Sequence, residues 1–468
     1  MTTMTWGLLG PDALGDERRT RTLGLGRAVR SFNELAVPGL GGVWLGKHLF
    51  LATLGVRVAQ EARARRKQVT NIEVANAVEA LACWYGLRSN RESRPDPRLR
   101  GFRKLAGKED VAFAKVRAAG FYVSQPMRMS VGQALPSLGL VEAGSTRFNT
   151  FSCTAAGEAL IAVQSTPYNP CYGKRNVLDY LVDWVKGEVK QPTAKKLIDV
   201  LSPLVALSSD ARAVVFERLR LGGSHESAQE TQRRRAALVW VESLRKKNSL
   251  GFSWADLPDA IGDLAHWHDL QAGALFFQTR DAALAVLDAL ERHIGESGNG
   301  LRHSLHGKAP AGVAPHLELL RRAAGAYRRL EQQTAASRDP LRIQHADAMA
   351  DAAKFCRECV EGNDSDVLRK LVERDERVLH LKGADIVPGP AFDGGRSVRA
   401  RNEADVAADQ DEDEGEDAED TRSTSSRPVS TWPDGLSYRV RNLFLLNADL
   451  LGKLDEWRDV ASVNGESL

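Results

Sequence analysis

At 468 residues, 43% of them apolar and 27% charged, the chain is too long for a single hydrophobic core and too apolar to be disordered throughout. Its net charge of +3 conceals a segregation: residues 402–420 hold eleven acidic and no basic side chains, leaving a surplus of fourteen positive charges on the remainder. That surplus favours polyanionic partners, whereas five scattered cysteines (Cys83, Cys153, Cys171, Cys356 and Cys359) exclude a disulfide framework and fit a reducing, cytoplasmic compartment.

The opening MTTMTWGLLGPDALGDERR lacks the basic start and apolar core of an export signal. Residues 37–58 are the most hydrophobic stretch, but Lys47, His48 and Arg57 interrupt it, so it reads as buried and not membrane-spanning. Helical spacing predicts helices over 46–67 and 71–85, with Thr70 capping the second and Gly86 ending it. The Pro- and Arg-rich residues 88–101 read as a linker. Residues 174–294 predict four or five helices, one opened by Ser209 and Asp210 and closed by Gly222 and Gly223, and an Arg-rich one over 226–247. Amphipathic helices follow over 316–335, 340–361 and 364–380. After Val387 the composition turns to Pro, Gly, Ser and acidic residues until Pro433, which predicts a mobile linker. The apolar pattern returns over 436–457, where Leu443, Leu446, Leu450 and Leu454 share one helical face that needs a surface to cover it.

Between these regions, EDVAFAKVRAA (109–119) predicts a short helix, FYVSQP a turn and MRMSVGQAL a second helix. LGLVE (138–142) and FSCT read as strands joined by GSTRFN, and AAGEALIAV as a closing helix. The order of elements over residues 102–163, with LGLVE and TAAGEAL (154–160) as its most telling strings, resembles the winged-helix superfamily. The resemblance implies that the second helix enters the major groove. Arg128, Ser130 and Gln133 would then face DNA, with Arg147 in the wing. Residues 109–163 carry four basic and four acidic side chains, so phosphate contacts would come from the preceding linker, and Pro136 breaks or shortens the second helix.

Other motifs lack their context. GGVWLGK (41–47) fits the first seven positions of a phosphate-binding loop, but His48 stands where Ser or Thr must hold magnesium, and a packing role is the better reading. Cys356 and Cys359 form a CxxC without a second pair for zinc. Seven of ten histidines lie between 225 and 316, His266, His268, His303 and His306 among them, with no accompanying HExxH. Glu188 and Lys190 give half of a nuclease pattern outside a strand, and Trp184, Trp240, Trp254 and Trp267 read as core.

The expected fold is mainly α: a multi-domain helical protein with a small winged-helix (α+β) module and a disordered acidic linker. The expected divisions are a basic helical region (1–95), the winged-helix-like domain (96–165), a helical domain (166–387), the acidic linker (388–433) and an amphipathic helix (434–468). The leading functional expectation is a non-enzymatic DNA-binding subunit, with duplex DNA and other protein subunits as partners, no membrane partner, no cofactor and no metal. Its phosphate contacts would come from Arg88, Arg91, Arg94, Arg98, Arg100, Arg103 and Lys104. Alternatives are a helical scaffold, such as an accessory component of a bacterial anti-phage defence or mobile-element system, and a metal-dependent enzyme using the histidines.

Overall fold

The computed structural model describes residues 21, 23–90, 96–118, 120–296, 300–334, 339–375, 377–394 and 432–461. It is mainly helical. In chain order the helices are α1 (Gly26–Ala36), α2 (Gly46–Ala64), α3 (Asn71–Ser89), α4 (Phe102–Leu105), α5 (Phe113–Val116), α6 (Met127–Val131), α7 (Ala134–Ser137), α8 (Ala155–Ser165), α9 (Val177–Lys186) and α10 (Lys195–Leu201). They continue as α11 (Ser209–Leu221), α12 (Ala228–Lys246), α13 (Leu264–Gly295), α14 (Ala314–Thr334), α15 (Pro340–Gln344), α16 (Ala346–Glu358), α17 (Asp364–Asp375), α18 (Tyr438–Leu450) and α19 (Leu454–Ala461). Short strands β1 (Val141–Ala143), β2 (Phe151–Cys153), β3 (His303–Ser304), β4 (Leu379–Lys382) and β5 (Asp385–Pro388) make two antiparallel sheets, β1–β2 and β3–β5–β4. Among the described residues no helix is long and apolar enough to cross a membrane.

The chain divides into two compact units. The larger holds residues 30–273, 337–345 and 400–468, and the smaller holds 1–29, 274–336 and 346–399.

The larger unit is organised on the α2–α3 hairpin, whose residues are buried on almost every side. The two helices cross closely at Gly55, where an added Cβ would lie 2.6 Å from Ala75 Cα. Helix α3 opens on a capping box: Thr70 Oγ1 accepts from Glu73 N at 3.2 Å, and the Glu73 carboxylate accepts from Thr70 N at 2.8 Å. Gly86 does not end this helix as expected. It lies inside α3, where a Cβ would come within 2.5 Å of the Leu99 side chain, so its smallness serves packing. Helix α18 is buried along nearly its whole length against α12, α11 and α2, so the C-terminal apolar helix docks within its own unit.

Between Phe102 and Ser165 four short helices, α4 to α7, precede β1, β2 and α8 where two helices were expected, with β1 and β2 in register Val141 to Cys153 and Ala143 to Phe151. The helices, however, are fragments. Helix α5 is a single turn, and the second helix breaks at Gly132–Gln133 into α6 and α7. Pro136 explains the break, because it has no N–H for the residue 132 carbonyl and its ring crowds that carbonyl. Leu105, Phe113, Val131, Leu135 and Phe151 join the same hydrophobic cluster as α2, α3, α9 and α12. The stretch is therefore built into the unit's core, and Asn71 Nδ2 ties its hairpin to the start of α3 by donating to Phe151 O at 2.8 Å and Phe148 O at 3.1 Å.

In the smaller unit α14 packs on α16 and α17 on β4, and the Phe276 ring of α13 contacts those of Tyr327 and Phe355 at 6.5 and 6.3 Å. Arg21 is almost fully buried among carboxylates, pairing with Glu291 at 2.9 Å, Asp375 at 3.1 Å and Asp288. Three expectations are corrected here. Helix α17 stops at Asp375, and residues 379–388 form a β-hairpin around Gly383 with Leu379 and Ile386 turned inward. Residues 388–394, expected to open the linker, are bonded to this sheet, Gly389 N donating to Val378 O at 2.8 Å. The rest of the expected linker, residues 395–431, lies outside the described residues. The helix expected over 340–361 is also two helices, α15 in the larger unit and α16 in the smaller.

Candidate nucleic-acid interface

The helix expected to read a groove is held down by its own unit. The buried Glu79 carboxylate on α3 accepts from Met127 N at 2.5 Å and Arg128 N at 3.1 Å, taking the N-terminal amides of α6. Burial pushes the Glu79 carboxyl up in pKa, and these two amides pull against that rise. Arg128 Nε donates to Asn76 Oδ1 at 2.5 Å with its guanidinium 5.7 Å from the Phe148 ring centre. Ser130 Oγ donates back to Met127 O at 2.7 Å, and the Ser130 carbonyl accepts from Gly42 N at 2.8 Å. Gln133 bridges Glu34 and Arg439 at 2.7 and 2.8 Å. Arg128, Ser130 and Gln133 thus have internal partners, while Arg147 is exposed at the tip of the β1–β2 hairpin.

The linker arginines divide in the same way. Arg98 forms a forked pair with Asp96, at 3.0 and 2.8 Å, and that bond holds its guanidinium firmly charged. Arg100 Nη1 donates to Gln125 O at 2.5 Å. Arg91 and Arg94 lie outside the described residues. Arg88 and Arg103 are exposed, and Lys104 is half-buried.

At the corner where α3 meets α4 and α5, cations and aromatic rings alternate. The Arg88 guanidinium lies 4.9 Å from the Trp84 ring centre, one helical turn back along α3. Trp84 Nε1 donates to Lys108 O at 2.7 Å, and the Lys108 ammonium lies 5.6 Å from the Phe121 ring centre. Arg103 and Lys104 are on the adjoining α4. Across residues 88–117 the sequence has ten basic and four acidic side chains. Two of the acids are bonded within the unit: Asp96 to Arg98, and Asp110 to Lys115 and Ala112 N, contacts that draw the Asp110 carboxyl below its ordinary pKa. Lys108, Trp84 and Phe121 were missed by the sequence reading. The signal for the first pair was the Trp84–Arg88 spacing of four residues on one helix, whereas the Lys108–Phe121 contact depends on the path of the chain beyond α4.

The remaining motifs resolve into packing. The GGVWLGK segment is a loop entering α2 with Val43 and Trp44 buried, and its glycines permit close approach to α6: a Cβ on Gly41 would lie 2.8 Å from Ser130 O. The amide of Gly46, at the start of α2, donates to Asp449 Oδ2 at 2.8 Å, so a side chain of the chain itself sits where a phosphate-binding loop would hold its ligand. Cys356 and Cys359 are buried, which pushes the Cys359 thiol up to about 12 and that of Cys356 well above the ordinary value, so neither supplies thiolate. His266 is buried in the larger unit against Ala36 O at 2.9 Å, and burial lowers its pKa to about 4. His293 and His303 pack edge to face in the smaller unit. Among the described residues no group of three or more His, Cys, Asp or Glu side chains is placed to hold a metal ion. Glu188 pairs with Lys186 just beyond α9, and Trp184, Trp240 and Trp267 are fully buried.

Comparison with known proteins finds no family model, curated protein or solved structure that matches the chain.

Proposed function

We propose that this chain is a non-enzymatic subunit that binds nucleic acid, duplex DNA in the first place, along its phosphate backbone through the α3–α4–α5 corner. The observation that carries the reading is the contiguous run Arg88, Trp84, Lys108 and Phe121, in which two aromatic rings hold two cations at the surface. A cation already held against a ring loses less rotational freedom on meeting a phosphate, which favours binding without base recognition. The winged-helix contacts give way in this reading to the corner, with Arg103, Lys104 and, by sequence, Arg91 and Arg94 extending it.

Fluorescence anisotropy with two unrelated 30-base-pair duplexes across a salt series tests this. Both duplexes bind with the same affinity, and log K falls with log salt at a slope of about −0.9 per phosphate contact. Binding that is absent at low salt, or insensitive to salt, removes the proposal and leaves a helical scaffold.

A further inference from the structure

A second feature of the larger unit lies away from this corner. Beside the start of α2 is a cavity of about 100 Å³ walled by Leu45, Pro203 and Val205, with Lys47, Arg98, Asp449 and Asp455 as its charged lining. Lys47 is only 1% exposed, and its Nζ donates to Val200 O at 3.0 Å. An amine that gives one N–H to a carbonyl keeps its lone pair for another direction. Asp449, whose Oδ2 is taken by the Gly46 amide, sits on the C-terminal turn of α18, and Asp199 on α10 also acts on Lys47 through its charge.

We infer that Lys47 is a nucleophile that captures a small aldehyde or 2-oxo acid in this cavity as an imine. The lone pair of the neutral Nζ attacks the carbonyl carbon, the C=O π electrons move to oxygen, and a proton passes from nitrogen to that oxygen to give the carbinolamine. Loss of hydroxyl together with the second N–H proton releases water and leaves C=N, with no change of oxidation state. Two features favour this chemistry. Burial lowers the pKa of Lys47 from 10.5 to about 7, opposed by Asp449 and Asp199, so a large share of the amine is neutral near pH 7. The same two carboxylates stabilise a cationic iminium and disfavour an anionic adduct such as a carbamate. A cavity this small admits a compound of a few heavy atoms, and its lining sets the carboxylates of Asp449 and Asp455 beside Arg98, whose guanidinium is already paired with Asp96.

The test treats the full chain with glyoxylate, pyruvate or acetaldehyde plus cyanoborohydride, which reduces an imine to a stable amine, and maps adducts by peptide mass. At pH 7 the adduct at Lys47 exceeds that at the exposed Lys190 and Lys308 by tenfold or more. Its yield climbs through pH 7 and levels by pH 8.5, while the surface lysines keep rising; the charged groups acting on Lys47 are Asp449 and Asp199, and Arg98 and Asp455 share the cavity lining with it. Glyoxylate outperforming acetaldehyde supports the 2-oxo acid, and the reverse order assigns a simple aldehyde. The V205W variant, which fills the cavity and keeps Lys47, loses the Lys47 adduct and retains those at the surface. An unmodified Lys47, labelling no greater than at Lys190, or an undiminished adduct in V205W overturns the inference.

Discussion

Helix α12 and the α3–α4 corner put arginine to opposite uses. On α12, Arg233 is 1% exposed and reaches Asp269 at 2.9 Å and Asp339 at 3.1 Å, while Arg234 is clamped by Glu226 and gives Nε to Leu219 O at 2.9 Å. Burial raises the Asp269 carboxyl, and Arg233 and Arg342 oppose that rise. At the corner, Arg88 has an aromatic ring in place of a carboxylate and remains exposed. A basic residue surrounded by carboxylates has no charge left to offer a polyanion, whereas one held by a ring keeps its charge. The surplus of positive charge in the sequence therefore locates an interface only after the internally paired cations are set aside.

Lys47 sharpens the contrast, being as buried as Arg233 without direct carboxylate pairing of that kind, and it gives the largest expected effect. The amine is neutral in the folded chain above about pH 7 but protonated in the unfolded chain up to its ordinary 10.5. The unfolded state thus binds more protons between these values, so the cost of burying Lys47 is in force below pH 7 and is relieved as pH rises toward 10.5. Relative to K47M, the unfolding free energy of the native sequence rises by about 1.4 kcal/mol per pH unit over that window, roughly 5 kcal/mol in all. Paired urea titrations from pH 6 to 10 measure it, and a flat difference means Lys47 remains charged.

Next in size is R233A, which leaves Asp269 and Asp339 buried without their shared cation. Loss of about 3–5 kcal/mol in chemical denaturation is expected, with DNA affinity per folded molecule unchanged. At the corner, R88A combined with K108A weakens duplex binding about tenfold and lowers the salt slope by about 2. R128A changes affinity less than twofold. Equal losses in the two would return the interface to α6 and erase the contrast. A smaller effect than that of the corner substitutions belongs to deletion of residues 402–420, whose eleven acidic side chains compete with DNA for positive surface. Random-duplex affinity at low salt then tightens severalfold, and an unchanged value removes that competition.

Much of the secondary structure was legible because its signals are local. The Thr70 cap, the periodicity of α2 and α3, the strands around the Arg147 turn and the apolar face of α18 each depend on neighbours a few residues away. The hairpin at 379–388 was missed although LHLK and DIVP alternate on either side of Gly383, because the preceding helical spacing was carried past Asp375. The fate of the candidate site residues was less legible. Arg128 finds Asn76 fifty-two positions away, and Glu79 takes the α6 amides from a different helix. Neither partner leaves a trace in spacing, so a helix that looked open in sequence is anchored in the fold.

The placement of α18 has a consequence for biosynthesis. Val440, Leu443, Leu446 and Asp449 sit inside a unit whose other helices are almost all translated by residue 273. A ribosome making this protein therefore extrudes most of the larger unit long before the segment that fills its interior emerges. Until then the nascent chain exposes an unfilled groove along α12 and α2, and a premature stop upstream of Tyr438 yields a product fit for chaperone capture or degradation.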